Sequence, residues 1–278
     1  MERAARVVLA SSPPGPAEPT TYRAPAVDRA FRILFLLQRC GDGLGVSEIA
    51  RQLGIGKGPC FALLKTLEAN DAVVCDRSRK VYRLGAALVR LGGAVSHHRQ
   101  YLEVARPEME RLAGEVRLSC FVSMPYGADR WVSVVAAESA GRGRTTIELG
   151  HCLPALSAAN GKALLAWRPR EVVEDTVRRM GLPCSSPRSI TDLPTFLRAL
   201  ERTRQAGYAE SFGEFEEGVN VLAAPIFDSA DDVVMILKII AAESQLPPRR
   251  APEVGRRLRR TAEKITTAIG GVYPRTPR

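Results

Sequence analysis

The sequence is poor in the residues and spacings that build metal and redox centres. Of its 278 residues, three are histidine and six are cysteine. His97 and His98 are adjacent, so on a helix they would point to different faces and would not converge on one ion. The cysteines are scattered and none forms a C-x-x-C pair, which argues against zinc ribbons and dithiol redox motifs. We therefore predict neither a metal site nor a cofactor.

Long apolar runs are also missing. No run approaches the roughly 18 residues that a membrane-spanning helix needs. The apolar patch at residues 7–10 is shorter than a signal-peptide core, which takes roughly 7–15 residues. We expect a cytoplasmic protein with reduced thiols and no membrane partner. Residues 1–24, which contain Pro13-Pro14-Gly15-Pro16, are predicted to be a disordered lead.

Enzyme signatures are the third absence. The chain has no G-x-S-x-G elbow, no glycine-rich phosphate loop and no metal-binding motif. Glu214, Glu216 and Glu217 are candidates for paired carboxylates, but such a run is more typical of a solvated loop. We therefore expect a protein that is not an enzyme.

The net charge of +10 is unevenly distributed along the chain. Residues 1–100 carry 15 basic and 8 acidic side chains, residues 101–245 carry 16 and 20, and residues 246–278 carry 9 and 2. A basic end joined to an acidic middle fits a nucleic-acid-binding module attached to a small-molecule or oligomerisation module. The alternative is that the basic surfaces are merely solvated, and charge alone does not decide between the two.

Hydrophobic periodicity predicts a helix over Ala26–Gln38 and a second helix over Glu48–Leu53. Ser47 precedes the second helix and is suited to cap it, because a serine hydroxyl can accept a hydrogen bond from a backbone N–H of the first turn. In the first helix, apolar residues at i, i+3, i+4 and i+7 predict one buried face. That face consists of Val27, Ala30, Phe31 and Leu34.

A third helix is predicted after the Gly54-Ile55-Gly56 turn, with Gly58 as its cap and Pro59 at its first position. Strands at 72–75 and 81–84 then flank the basic turn 76–80. Three helices and a hairpin are typical of a winged helix-turn-helix, which places one helix in the DNA major groove and the wing on the backbone. The alternative is a winged helix used for protein contacts, but the basic turn and helix surface favour DNA. The predicted DNA-binding residues are Ser47, Lys57, Gly58, Phe61, Ala62, Lys65, Arg77, Arg79, Lys80 and Arg83.

The remaining chain predicts an α+β arrangement with an antiparallel sheet. Residues 25–85 form the DNA-binding domain, 86–100 a linker helix, 101–272 an effector-binding and oligomerisation domain, and 273–278 a tail. A helix over Leu102–Val116 is predicted to open the third of these, and Gly141–Arg144 is predicted to be a flexible turn between strands. Further strands are predicted at 119–125, 130–137, 145–149, 208–212, 219–227 and 233–241, and further helices at 157–167, 171–180, 192–206 and 251–269.

The segment from Ala26 to Gly92 resembles the N-terminal domain of the IclR family of bacterial transcription regulators. Residues 153–167, 207–228 and 233–241 resemble that family's effector-binding domain, so the resemblance extends from residue 26 to about residue 270. It implies a GAF-like C-terminal fold and a homodimer or homotetramer. It further implies a repressor that binds a near-palindromic operator in double-stranded DNA and responds to a small metabolite.

The third helix departs from the family pattern. Relatives usually open this helix with serine or threonine and carry an arginine about one turn in, where this chain has Gly58, Pro59 and Ala62. The missing side chains remove two phosphate contacts and one contact to a base or to the backbone. Backbone amides at the helix start can still hold a phosphate, and Lys57 and Lys65 remain.

The resemblance also implies an effector pocket between the helix around Gly161 and the sheet. Members that bind small oxo-acids tend to have aspartate where Ser211 stands, cysteine or serine at Val221, and two serines near Lys238 and Ile240. The pocket in this chain is therefore more apolar and has gained a cation. Its residues, carried over by motif, are Leu153, Ala158, Ala159, Asn160, Gly161, Ser211, Val221, Lys238 and Ile240.

Lys238 stands in a strand that is otherwise built for burial, between Leu237 and Ile239. An unpaired buried ammonium is costly, so Lys238 needs a partner. One interpretation is that it binds the carboxylate of an acidic effector. The alternative is a salt bridge to the acidic run at 214–217, or an outward side chain. A second functional hypothesis also stays open, in which the pocket is collapsed and the regulator works through oligomerisation or partner proteins.

Overall fold

The computed structural model describes residues 24–93, 96–139 and 149–274. Most of the predicted disordered lead, the turn Gly141–Arg144, most of the strand predicted at 145–149 and the end of the predicted tail lie outside these residues. The chain separates into two compact units that divide between Arg99 and Gln100. No helix in the described ranges has the length and apolarity of a membrane span.

The N-terminal unit has the predicted order of three helices and a hairpin. Strands β1 and β2 pair antiparallel, and Leu44 adds a bridge to Tyr82 through two backbone hydrogen bonds of 3.1 and 2.8 Å. The buried side chains come from the three helices and the hairpin and form one small core. The elements are α1 Pro25–Gln38, α2 Val46–Leu53, α3 Lys57–Ala69, β1 Val73–Asp76, β2 Val81–Leu84 and α4 Ala86–Gly93.

The buried face of α1 is not the predicted one. Val27 and Phe31 are 54% and 55% exposed, whereas Ile33 and Leu37 are buried against α3 and the hairpin. The prediction failed because residues 33–37 are apolar without interruption, so the periodic pattern is compatible with more than one face of the helix.

Both predicted helix caps are also wrong by two residues. Helix α2 begins at Val46 with Gly45 as its cap, so Ser47 lies inside the first turn. Helix α3 begins at Lys57 with Gly56 as its cap, which places Gly58 at the second position. The two capping glycines have extended backbone and supply no side-chain hydrogen bond. A capping glycine has no side-chain signature in the sequence, whereas the prediction for α2 relied on the hydroxyl of Ser47.

Helix α5 spans Ser96–Val116 and lies mostly in the C-terminal unit. The predicted division into a linker helix ending at residue 100 and a new helix from Leu102 is therefore wrong. Helix α4, Ala86–Gly93, precedes α5. The other predicted elements are found within a few residues of the expected bounds. They are β3 Cys120–Tyr126, β4 Arg130–Ala137, α6 Ala158–Leu165, α7 Arg170–Met180, α8 Leu193–Ala206, β6 Ala209–Phe212, β7 Val219–Phe227, β8 Val233–Ala242 and α9 Ala251–Ala268.

The strands form one antiparallel sheet in the order β5-β4-β3-β8-β7-β6, where β5 is the unpredicted short strand Cys152–Pro154. Helices α5 and α9 bury their apolar faces on one side of the sheet. Helix α6 packs on the other side, over β6, β7 and β8. The predicted α+β class with an antiparallel sheet is confirmed, and β8 lies at the centre of the sheet between two layers.

Candidate DNA interface and effector site

The outer surface of α3 is the first candidate site. Cys60 and Leu64 point into the core of the N-terminal unit and are fully buried. The predicted contact residues of this helix lie on its other side and are all exposed. They are Lys57, Gly58, Phe61, Ala62 and Lys65.

The two lysines of this surface differ in their surroundings. Lys65 donates to Glu68 at 2.7 Å, and its Nζ also lies 5.6 Å from the centre of the Phe61 ring. The hydrogen bond to Glu68 raises the pKa of Lys65, and the carboxylate offsets part of its charge. The structure records no such partner for Lys57, which is exposed at the first position of the helix.

The start of α3 offers backbone donors. Its first helical hydrogen bond runs from the Cys60 N–H to the Gly56 carbonyl at 2.9 Å. The N–H groups of Lys57 and Gly58 precede that bond and have no partner within the helix, and Pro59 has no N–H to satisfy. Such amides, together with the helix dipole, favour an anion such as a DNA phosphate.

In the wing turn, the acidic side chain of Asp76 is bound inside the turn, whereas the cations at the tip are exposed. The Asp76 carboxylate accepts from the Ser78 hydroxyl at 2.7 Å and from the backbone N–H groups of Ser78 and Arg79 at 3.0 and 3.1 Å. These bonds, the Ser78 hydroxyl first, lower the pKa of Asp76. Arg77, Arg79 and Lys80 are exposed at the tip.

Two other predicted DNA-binding residues are placed differently. Ser47 is exposed on α2, in its first turn and not at its cap. Arg83 is half-buried on β2, where its Nε donates to the Asp42 carbonyl at 3.4 Å and its guanidinium lies 3.9 Å from the Asp76 carboxylate. Arg83 is thus held against its own domain, unlike the cations of the wing tip.

The second candidate site is the sheet surface beneath α6. Ser211, Val221 and Ile240 form one row across β6, β7 and β8. Lys238 lies two residues before Ile240, so its side chain is on the same face of β8. In its own row it pairs with Phe121 and Ala223, which belong to the apolar cluster beneath α6.

Lys238 is the most unusual residue of this site. It is 1% exposed, and among the described residues it has neither a hydrogen-bond acceptor nor a carboxylate partner. Burial lowers its pKa to about 8. Of the alternatives drawn from the sequence, the outward side chain is wrong, and so is the salt bridge to the acidic run, since Glu214 bonds another lysine and residues 216 and 217 are exposed.

Unsatisfied polar groups accompany Lys238. The side-chain nitrogen of Asn160, on α6, and the hydroxyl of Ser211, on β6, are buried without a hydrogen-bond partner. The hydroxyl of Ser157, which precedes α6, is in the same situation. Buried polar groups without partners are rare in folded proteins, and Ser211 lies in the same row as Val221 and Ile240.

The structure does not bring all of the predicted pocket residues together. Leu153 lies on β5, which β4 and β3 separate from β8, a distance of about 14 Å across the sheet. Ala158 is part of a small depression beside Glu214. A side chain at Gly161 would come within 2.7 Å of the Leu156 carbonyl, so this glycine accommodates its own preceding loop. Ala159 packs in the cluster beneath α6.

A buried ion pair beside this site was missed at the sequence level. Lys162, on α6, donates to the Glu210 carbonyl at 2.6 Å and to the Glu214 carboxylate at 2.5 Å. Burial lowers the pKa of Lys162, and Glu214 opposes that shift. A lysine inside the otherwise uncharged helix of residues 158–165 was the available signal.

Comparison with known proteins decides the family. Residues 93–267 match the bacterial transcriptional regulator IclR C-terminal domain, and residues 26–77 match the IclR helix-turn-helix domain. The chain belongs to the IclR family. The HTH-type transcriptional repressor AllR of Salmonella typhi is 34% identical over 258 residues, which cover 92% of this chain and 94% of that protein. AllR of Escherichia coli K12 is 33% identical, with 92% and 95% covered.

Solved structures of IclR proteins share the fold. The IclR regulator from Alicyclobacillus acidocaldarius is 29% identical, has a TM-score of 0.77, and is matched over 90% of this chain and all of its own. Thermotoga maritima IclR, at 23% identity, has a TM-score of 0.74 over 88% of this chain and 99% of its own. The protein is therefore a transcription regulator and not an enzyme, with an IclR helix-turn-helix domain and an IclR effector domain.

We predict that Lys238 makes the stability of this IclR protein depend on pH. Its pKa is about 8 in the folded chain and about 10.4 when unfolded. The unfolded state therefore binds more protons between these values, and the free energy of unfolding rises with pH across that window. Lys238→Met should be more stable than wild type by about 3 kcal/mol near pH 7, with the difference shrinking toward pH 10.

The measurement is urea unfolding at several pH values followed by tryptophan fluorescence, because both tryptophans, Trp131 and Trp167, lie in the C-terminal unit. Lys264→Met, at a side chain that is 61% exposed, serves as the control and should track wild type at every pH. Parallel pH curves for Lys238→Met and wild type would contradict the prediction.

Proposed function

We propose that this protein is a cytoplasmic, homo-oligomeric repressor whose DNA binding is controlled by a small carboxylic acid. The acid binds beneath α6, where its carboxylate contacts Lys238. The observation that carries the proposal is the fully buried ammonium of Lys238, which has no counter-charge among the described residues.

The DNA-binding half of the proposal rests on the winged helix. Helix α3 enters the major groove, and its first amides and Lys57 contact phosphate and base edges. The wing tip contacts the adjacent backbone through Arg77, Arg79 and Lys80. One such domain contacts too little DNA for a tight specific site, so two subunits bind two related half-sites about one or two helical turns apart.

The effector half follows from the chemistry beneath α6. A carboxylate would satisfy Lys238 by a charge-assisted hydrogen bond. The Asn160 amide can donate to the same ligand, and the Ser211 hydroxyl can donate or accept. Val221 and Ile240 are apolar neighbours, which favours an acid with an apolar body over a small polar oxo-acid.

The rival hypothesis, a collapsed pocket without an effector, has less support. A pocket that had closed permanently would be expected to pair or replace its polar groups, because each unpaired buried group costs about 1–3 kcal/mol. Here Lys238, Asn160 and Ser211 keep their polar atoms without partners in the described residues. Groups of this kind are better explained by a ligand that occupies the site in one functional state.

Repression is proposed from the relatives. The Salmonella and Escherichia AllR proteins are named transcriptional repressors. An acid that binds one arrangement of the subunits more tightly than another shifts the population toward that arrangement. Binding of the acid and binding of the operator are then coupled, so the acid changes operator affinity by the same factor by which the operator changes affinity for the acid. We propose that the acid lowers operator affinity and so relieves repression.

The first prediction concerns the wing. Arg77→Ala combined with Arg79→Ala should weaken binding to operator and to random DNA alike, because both side chains contact phosphate. The slope of the logarithm of the binding constant against the logarithm of salt concentration should fall by about 1 for each phosphate contact that is lost. Fluorescence anisotropy with labelled duplexes at several salt concentrations gives both values.

A matched control is available in the other unit. Arg178→Ala with Arg179→Ala removes two exposed arginines of α7 and should leave affinity and salt slope unchanged. An unchanged slope in the wing variant would contradict the placement of the wing on DNA.

The second prediction concerns the acid. Operator binding by wild type should weaken in the presence of at least one acid from a panel of benzoate, phenylacetate, hexanoate and pyruvate. The apolar members should be more effective, and the corresponding amides should be inactive because they lack the charge. Lys238→Met should bind the operator normally and lose the response. A gel shift over a concentration series measures both properties.

Lys264→Met, an exposed lysine of the same unit, should respond like wild type. If Lys238→Met responds to the same acid at the same concentration as wild type, then Lys238 is not the anion site. If no acid changes binding by wild type, and none raises its unfolding temperature, the collapsed-pocket hypothesis is favoured.

A further inference from the structure

The DNA-facing surface of α3 has few side chains that can form hydrogen bonds with bases. Gly58 and Ala62 have no polar side-chain atoms, and the exposed Thr66 hydroxyl donates to the Ala62 carbonyl at 3.1 Å. Lys65 is bound to Glu68. Lys57 is therefore the one lysine of this surface without a recorded partner in the described residues, and a point charge distinguishes bases less well than a bidentate group does.

Phe61 is the largest side chain on this surface. It lies at the fifth position of α3, within the part of a recognition helix that meets base edges, and it is 47% exposed. Single exposed apolar side chains are common on protein surfaces, so it is the position of Phe61 on the outer surface of α3 that points to a role. The Lys65 ammonium, which also donates to Glu68, lies 5.6 Å from the ring centre.

We propose that Phe61 recognises the C5-methyl group of a thymine at one position of each operator half-site. The proposal rests on the function proposed above, in which α3 enters the major groove. Thymine is the one base that presents an apolar group in that groove, whereas the other bases present donors and acceptors that a phenyl ring would leave unsatisfied. Ala62, beside Phe61, leaves room for the methyl group to approach the ring.

This assignment explains how the helix can be specific without the usual polar side chains. Lys57, the first amides of α3 and the wing provide affinity through phosphate contacts, which carry little sequence information. Phe61 adds discrimination through the desolvation of a methyl group. The Lys65–Glu68 ion pair lies beside the Phe61 ring and places charge on one side of it.

The test begins with selection of operators from a random duplex library by the full-length protein. Each thymine of the selected half-site is then replaced by deoxyuridine, which keeps base pairing and removes only the methyl group. One position should be sensitive, and its replacement should weaken wild-type binding about fourfold per half-site, the affinity equivalent of one buried methyl group. If that position carries 5-methylcytosine instead of cytosine, part of the lost affinity should return, because the methyl group is present again.

The decisive comparison is with variants. Phe61→Ala should bind the thymine operator less tightly and become indifferent to deoxyuridine at the sensitive position, while Phe61→Leu should retain part of the sensitivity. Tyr126→Ala, at an aromatic residue that is 38% exposed in the other unit, should respond like wild type. Circular dichroism and the affinity of Phe61→Ala for random DNA show that the variant is folded and still binds phosphate.

Two outcomes would overturn the inference. Sensitivity of Phe61→Ala to deoxyuridine equal to that of wild type would mean that another group contacts the methyl. Specific binding by the wild-type protein with no sensitive thymine would mean that no methyl group is recognised. Failure of the wild-type protein to select any sequence would instead contradict the proposed function itself.

Discussion

The C-terminal unit is organised around a positive charge in the middle of its sheet. Lys238 lies on the central strand β8, between the neighbours Phe121 and Ala223, with α6 packed above. An ammonium in such surroundings is destabilising, and burial lowers its pKa to about 8. The rest of the sheet, apolar on both faces, supplies enough burial to hold the strand in place despite this cost. Because the Lys238 side chain is already buried, an anion would bind it without a further cost of moving or desolvating the lysine.

Lys162 shows what a permanently satisfied lysine looks like in the same protein. It lies on α6, less than one turn from Asn160, and is almost as well buried as Lys238. Its ammonium is nonetheless held by Glu214, and the Glu214 carbonyl accepts from the Ser189 hydroxyl at 2.7 Å. This pair therefore ties α6 to the segment after β6 and to the α7–α8 connection. A ligand that contacts α6 and β8 together would act on a helix that is already linked to these segments.

The sequence predicted the parts of the molecule whose signals are local. The wing turn was predicted because a basic loop separates two short apolar strands. Strand β8 was predicted because a run of apolar residues surrounds Lys238. The buried face of α1 was not predicted correctly, since the uninterrupted apolar run around Ile33–Leu37 hides the periodicity. The capping glycines Gly45 and Gly56 have no side-chain signature. The partner of Lys162 is 52 residues away in the chain, so that ion pair depends on tertiary packing that no local pattern reveals.

The most direct test of the account is to observe the ammonium of Lys238 itself. The chain has six lysines, so labelling with lysine enriched in 13C at the ε position gives a simple NMR spectrum, in which the Lys238 signal is identified by its absence in Lys238→Met. We predict that this signal titrates near pH 8 in the free protein, and that its pKa rises when the acid found in the gel-shift screen is added. Titration of the Lys238 signal near the ordinary value of about 10.4, with or without the acid, would contradict the claim that a buried, uncompensated lysine binds the effector.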